Sequence, residues 1–151
     1  LHTAYRRQRQ MCIRDSNLLM QRIQKTLSEI HEPKIVELAK IYKQHLATVQ
    51  KTTQILGQAL HQGKVSEALA NSGLYLDMMG KTILAWLWLE MANQAQLKFG
   101  TSSQAEDQTF LAGKIQAAQY FIRWELPEIE HQAKLLMHLD DTCLNMQADW
   151  F

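Results

Sequence analysis

The stretch Pro33–Gln62, PKIVELAKIYKQHLATVQKTTQILGQALHQ, decides the fold class. Ile35, Leu38, Tyr42, Leu46, Val49, Thr53, Leu56 and Leu60 recur at steps of three and four. That spacing returns side chains to one side of a helix and predicts a single core-facing stripe. Pro33 suits a first helical turn, where its missing N–H costs nothing. Gly63 follows as a C-terminal cap, because a glycine there turns left-handed without a steric penalty.

Working outward, the same period recurs and no strand signal interrupts it. Upstream, Asn17 reads as an N-cap for a shorter helix with Leu18, Leu19, Ile23, Leu27 and Ile30 on one face. Downstream, a helix is expected over residues 66–98, and Leu74–Ala92 is apolar almost all round. Asp77, Lys81 and Glu90 argue against a membrane span, since each costs about 2.5–3.5 kcal/mol near a bilayer centre. The segment instead predicts a helix buried on several sides, inside a bundle or at a subunit contact, where any buried charge would have to be paired. Gly73 and Gly80 lie seven apart on one face, where close approach of another backbone would justify them. Ser103 and Glu106 form an S-x-x-E capping box before a helix over 107–138. Leu111, Ile115, Ala118, Ile122, Ile129, Ala133 and Leu136 make its stripe, and Pro127 should break it near Glu125. The expected fold is all-α: an antiparallel bundle of three long helices plus a shorter N-terminal helix, over residues 17–139. Residues 140–151 form a tail, anchored by Trp150 and Phe151 or frayed.

Composition sets the limits. A chain of 151 residues predicts one domain. Only 2 Pro and 6 Gly leave too few turn formers for a β-sandwich or a collagen repeat. Two cysteines are too few for a disulfide framework, and Cys143 alone lies beyond the first sixteen residues. The net charge of +1 is unevenly placed. Residues 1–16 carry four arginines against Asp15, while the other 135 residues carry 12 Lys/Arg against 14 Asp/Glu. The first sixteen, LHTAYRRQRQMCIRDS, show no apolar period and no secretory h-region. A basic arm or an Arg-rich transit peptide would fit them. Met11–Ser16 is also what ATG-TGT-ATA-AGA-GAC-AGN encodes, and that string resembles a transposon end used in preparing sequencing libraries. Residues 1–16 are therefore expected to be adapter-derived, with the native N-terminus missing. Without them nothing supports nucleic-acid binding, because the remainder is acidic and has no basic stripe.

Catalytic motifs are scarce. The chain has no G-x-G-x-x-G, P-loop, C-x-x-C or G-x-S-x-G. One Glu-x-x-His spacing occurs, Glu128-Ile-Glu-His131, but a di-iron bundle needs two. None of the six histidines pairs with another at i, i+4, so surface or helix-end roles are expected. Asp77 and Lys81 read as a structural i, i+4 pair. Trp86 and Trp88 point to different sides of one helix, whereas Phe121 and Trp124 share a face. The expectation is that Phe121 and Trp124 meet one of the other two Trp side chains in the core, leaving the fourth ring for a missing partner. No catalytic, cofactor-binding or metal residue is assigned.

Ala70–Gly80 (ANSGLYLDMMG), Ala85–Ala92 (AWLWLEMA), Phe110–Phe121 (FLAGKIQAAQYF) and Glu125-Leu-Pro127 together resemble the C-terminal extension of acyl-CoA dehydrogenase-like flavoenzymes. The branch they most resemble is the methylmercaptopropionyl-CoA dehydrogenase type. There a Tyr-Leu-x-x-x-Gly helix with a Trp-containing stretch precedes a Phe-x-x-x-Lys-x-x-x-Ala-x-x-Phe helix ending in Leu-Pro. The resemblance is best over residues 65–130 and extends over about 17 to 140. It implies a parent enzyme that binds FAD, an acyl-CoA substrate and an electron-transfer acceptor. In the family the catalytic Glu precedes this extension, so neither Glu90 nor Glu125 inherits its role. The fragment itself is expected to bind no FAD. His31-Glu32-Pro33 and the Asp-Trp-Phe end depart from the family pattern.

Two readings follow. In the first, the chain is a fragment of a cytoplasmic, FAD-dependent acyl-CoA dehydrogenase acting in fatty acid metabolism. It would form homo-oligomers through apolar faces around Trp86, Trp88, Phe121 and Trp124. In the second, it is a stand-alone helical interaction protein without enzymatic activity.

Overall fold

A computed structural model describes residues 2–99 and 105–150, with side chains from Asp15 onward. The described residues are helical and contain no strand: α1 His2–Ser28, α2 Pro33–His61, α3 Val65–Leu69, α4 Ser72–Phe99, α5 Ala105–Tyr120 and α6 Ile129–Met137. A π-helical turn, Phe121–Glu125, and a 3-10 turn, Leu126–Glu128, join α5 to α6.

The all-α bundle is as expected, and cross-helix pairs give its directions. Trp88 meets Phe121, Lys81 meets Glu128 and Asp77 meets Gln132, so the α5–α6 arm runs antiparallel to α4. His45 pairs with Glu130 and Glu37 with Arg123, so α2 runs parallel to that arm. Thr26 meets Trp86 and Glu29 meets Asn93, so α1 runs parallel to α4. α2 and α4 form a central antiparallel pair, with α1 along one side and α5–α6 along the other. Tyr42, Met78, Leu89, Ile122, Leu126 and Ile129 are fully buried where these elements meet.

Several boundaries differ from the sequence reading. Asn17 is not an N-cap, because α1 starts at His2 and spans 27 residues. Arg, Gln, Met and Leu are strong helix formers, so a helix packed from Leu19 onward propagates backward without an apolar stripe. The third helix begins at Ser72 rather than Ser66, after the separate short α3. The α2 stripe also drifts: beyond Val49 the buried positions are Thr52 and Ala59, while Thr53 and Leu60 are exposed. On a straight helix Thr53 and Leu60 stay on the side of Ile35, so the shift reflects the neighbours, with α3 packed against α2 at this end. Gly63 does cap α2, with φ at 81° and the Lys64 N–H reaching the Ala59 carbonyl at 3.0 Å. Pro127 breaks the fourth helix as expected, through the two irregular turns. Ser103 of the expected capping box lies outside the described residues.

Candidate functional site

α4 carries apolar residues on nearly all sides, and the bundle covers only part of them. Its inner side buries Met78, Thr82, Ala85, Leu89 and Ala92. Trp86 faces α1, half-buried, and its indole N–H donates to the Thr26 hydroxyl at 2.9 Å. Trp88 faces the α5 arm and meets Phe121 with ring centroids 6.5 Å apart. The remaining side carries Gly73, Leu76, Gly80, Leu84, Leu87 and Met91, all exposed. Within one chain the helix is thus buried on its inner side and left exposed on its outer side. Gly73 and Gly80 are not sites of close approach here, since nothing lies within 4 Å of where a Cβ would stand.

α5 continues this outer face beside α4. Phe110, Gly113, Tyr120 and Trp124 recur at steps of three, seven and four and are exposed. Trp124 is 72% exposed, so it does not join the core with Phe121 as expected. The π-helical turn over Phe121–Glu125 widens the helix by one residue and carries Trp124 outward. There it stacks on Tyr120 at 6.4 Å with the rings 12° from parallel. Towards the other end of the face lies a cleft of about 430 Å³ between Leu87, Met91, Phe110 and Leu111. Glu90, Lys98 and Lys114 also border it. The Lys114 ammonium sits 5.1 Å from the Phe110 ring centroid and 5.8 Å from that of Trp88.

Asp77 and Lys81 of α4 are paired at its rim rather than buried. Lys81 lies 3.7 Å from Asp77 and contacts Glu128 on the opposite arm. The Glu128 hydrogen bond holds the Lys81 ammonium above its usual range against partial desolvation. Glu90 is exposed, and Asp77 is 53% exposed and accepts from Gln132. The Tyr120 hydroxyl donates to Glu125 at 3.0 Å, which raises its pKa. These long-range pairs, like His45–Glu130 at 2.8 Å, had no sequence signal, because no local pattern relates residues 85 positions apart.

The Glu-x-x-His candidate is drawn apart. Glu128 turns to Lys81, while His131 is exposed on α6. Among the described residues no three His, Cys, Asp or Glu side chains stand close enough to hold a metal ion. Nor is any helix there long and apolar enough to cross a membrane. Trp150 is 62% exposed and does not anchor the tail, and Cys143 is a free, exposed thiol. Phe151 lies outside the described residues.

The cleft between α4 and α5 is lined mostly by apolar side chains. A second, of about 340 Å³ between Ile23, Leu46, Val49, Tyr75 and Met79, is bordered by no charged side chain. Fold and site together define an all-helical domain with exposed apolar side chains along α4 and α5. The family described as acetyl-CoA dehydrogenase C-terminal like matches residues 19–147. The chain belongs to that family. None of the curated proteins compared with it matches.

Proposed function

We propose that the chain is the C-terminal helical domain of a larger FAD-dependent acyl-CoA dehydrogenase of the methylmercaptopropionyl-CoA dehydrogenase type. The parent would oxidise an acyl-CoA thioester at its α,β-carbons in the cytoplasm and pass electrons to an acceptor. The match to the acetyl-CoA dehydrogenase C-terminal-like family over residues 19–147 carries this reading. The chain's own contribution would be packing or subunit contact through the outer face of α4 and α5. It supplies neither the base nor the flavin site, and residues 1–16 would not be native to it. In the parent, FAD would accept the β-hydrogen as hydride, held by residues outside this chain. The test compares flavin content. The longer gene product should purify with FAD that bleaches on adding acyl-CoA, and the 151-residue chain should purify without it. Stoichiometric flavin on the short chain, or none on the long one, contradicts the proposal.

A further inference from the structure

The second cleft, of about 340 Å³, runs into the bundle where α1, α2 and α4 meet. Its inner wall is Ile23, Leu46 and Val49, all buried, with Leu19, Met79 and Ile83 partly buried around them. A closed apolar cavity of about 150 Å³ suffices for a benzene ring, so this one has room for about two. Its polar groups are few and their protons are committed. The Thr53 hydroxyl stands 2.8 Å from the Val49 carbonyl, which can only accept, so its one proton goes there. The Tyr75 hydroxyl, 2.9 Å from Thr53, must then donate to it. The buried Thr82 hydroxyl gives its proton to the Met78 carbonyl at 2.8 Å. What Tyr75 and Thr82 keep for a visitor is oxygen lone pairs.

We propose that this cleft binds a neutral alcohol or phenol with a mostly apolar body of about two rings, whose O–H donates to the Tyr75 oxygen. Three observations select this class. The apolar wall rewards a body without polar atoms, in proportion to the area removed from water. The absence of any charged side chain from the lining selects against a carboxylate, a phosphate or an ammonium, each of which would lose hydration without gaining a counter-charge. The spent hydroxyl protons select a donor over an acceptor, because an ether or ketone oxygen set against Tyr75 would leave two lone pairs facing each other. Gln50 and Gln54 stand exposed at the mouth, where their amides can bond the ligand's own oxygen. A few placed polar groups on an apolar wall are the usual build of a small-molecule site, and they fix orientation as well as identity.

The inference stands apart from the parent-enzyme reading and uses none of its flavin chemistry. Titration of the full chain with 2-naphthol at pH 7, followed by calorimetry, tests it. The expected result is saturable binding of one naphthol per chain. 2-Naphthoate, the same skeleton with a charge, should bind at least tenfold more weakly. Tyr75→Phe keeps the ring and removes the oxygen, so helicity by circular dichroism should not change. It should weaken 2-naphthol at least threefold and leave 2-methoxynaphthalene, which has no proton to give, unaffected. That difference separates a lost hydrogen bond from a general loosening of the cleft, and from naphthol lodged in the cleft between α4 and α5. No saturable binding overturns the proposal. So does naphthoate binding as tightly as naphthol, or a Tyr75→Phe effect that is absent or equal for the two neutral probes.

Discussion

The indole N–H of Trp86 donates to the hydroxyl of Thr26 at 2.9 Å, tying α4 to α1 across sixty residues of sequence. Thr26 is 7% exposed, and its hydroxyl in turn donates to the Arg22 carbonyl at 3.2 Å. Asn93 adds a second link one helical stretch away, donating to the Glu29 carbonyl at 3.4 Å. These contacts orient α1 against α4.

Thr26→Val keeps the shape of the side chain and removes the acceptor for Trp86. An unpaired, half-buried N–H costs about 1–3 kcal/mol. Urea unfolding should show a loss in that range, with the slope against denaturant unchanged. An unaltered midpoint would mean that water replaces Thr26 freely.

Tyr42 is fully buried, and its hydroxyl has no hydrogen-bond partner. Burial raises its pKa well above the ordinary 10.0, because the phenolate would lose its hydration. The folded state therefore holds Tyr42 neutral where the unfolded chain would ionise it. That contribution to stability is complete below pH 10.0 and is lost as the pH rises above it. Tyr42→Phe should leave stability at neutral pH equal or up to about 1 kcal/mol higher, since it removes an unsatisfied polar atom. It should also flatten the alkaline decline. Thermal melts of both proteins from pH 8 to 11 check both expectations.

Leu126 is fully buried in the 3-10 turn that joins the π-helical turn to α6. Leu126→Ala should cost about 2–5 kcal/mol by leaving a cavity where α2, α4 and α6 converge. A loss below about 1 kcal/mol by urea unfolding would show that this turn collapses to fill the space.

Deleting residues 1–14 shortens α1 and leaves its buried Ile23 and Thr26, and nearby Ile30, in place. The thermal midpoint should move by only a few degrees. A large drop would mark this segment as part of the packed fold.

How far sequence alone reaches is clear from particular residues. The stripe Ile35–Leu38–Tyr42–Leu46–Val49 and the break at Pro127 were legible, because period and backbone chemistry are local. Trp124 was misread because a π-helical turn changes the residues per turn without any marker in the side chains. The spacing of Gly73 and Gly80 predicts close approach of another backbone, but within this chain nothing lies within 4 Å of a Cβ at either. The pairs His45–Glu130 and Glu37–Arg123 depend on helix register across the bundle, which no local spacing encodes. Residues 2–16 form helix although the sequence there carries no apolar period.

The most direct test of the proposal that this chain is one domain of a larger flavoenzyme is the nucleotide sequence upstream of the codon for Asn17 in the native gene. The expected result is one continuous reading frame encoding an acyl-CoA dehydrogenase core, with its flavin-binding domain and catalytic Glu, running unbroken into Asn17. A native start codon near residue 17, with no such core ahead of it, would contradict the account and favour the stand-alone helical protein.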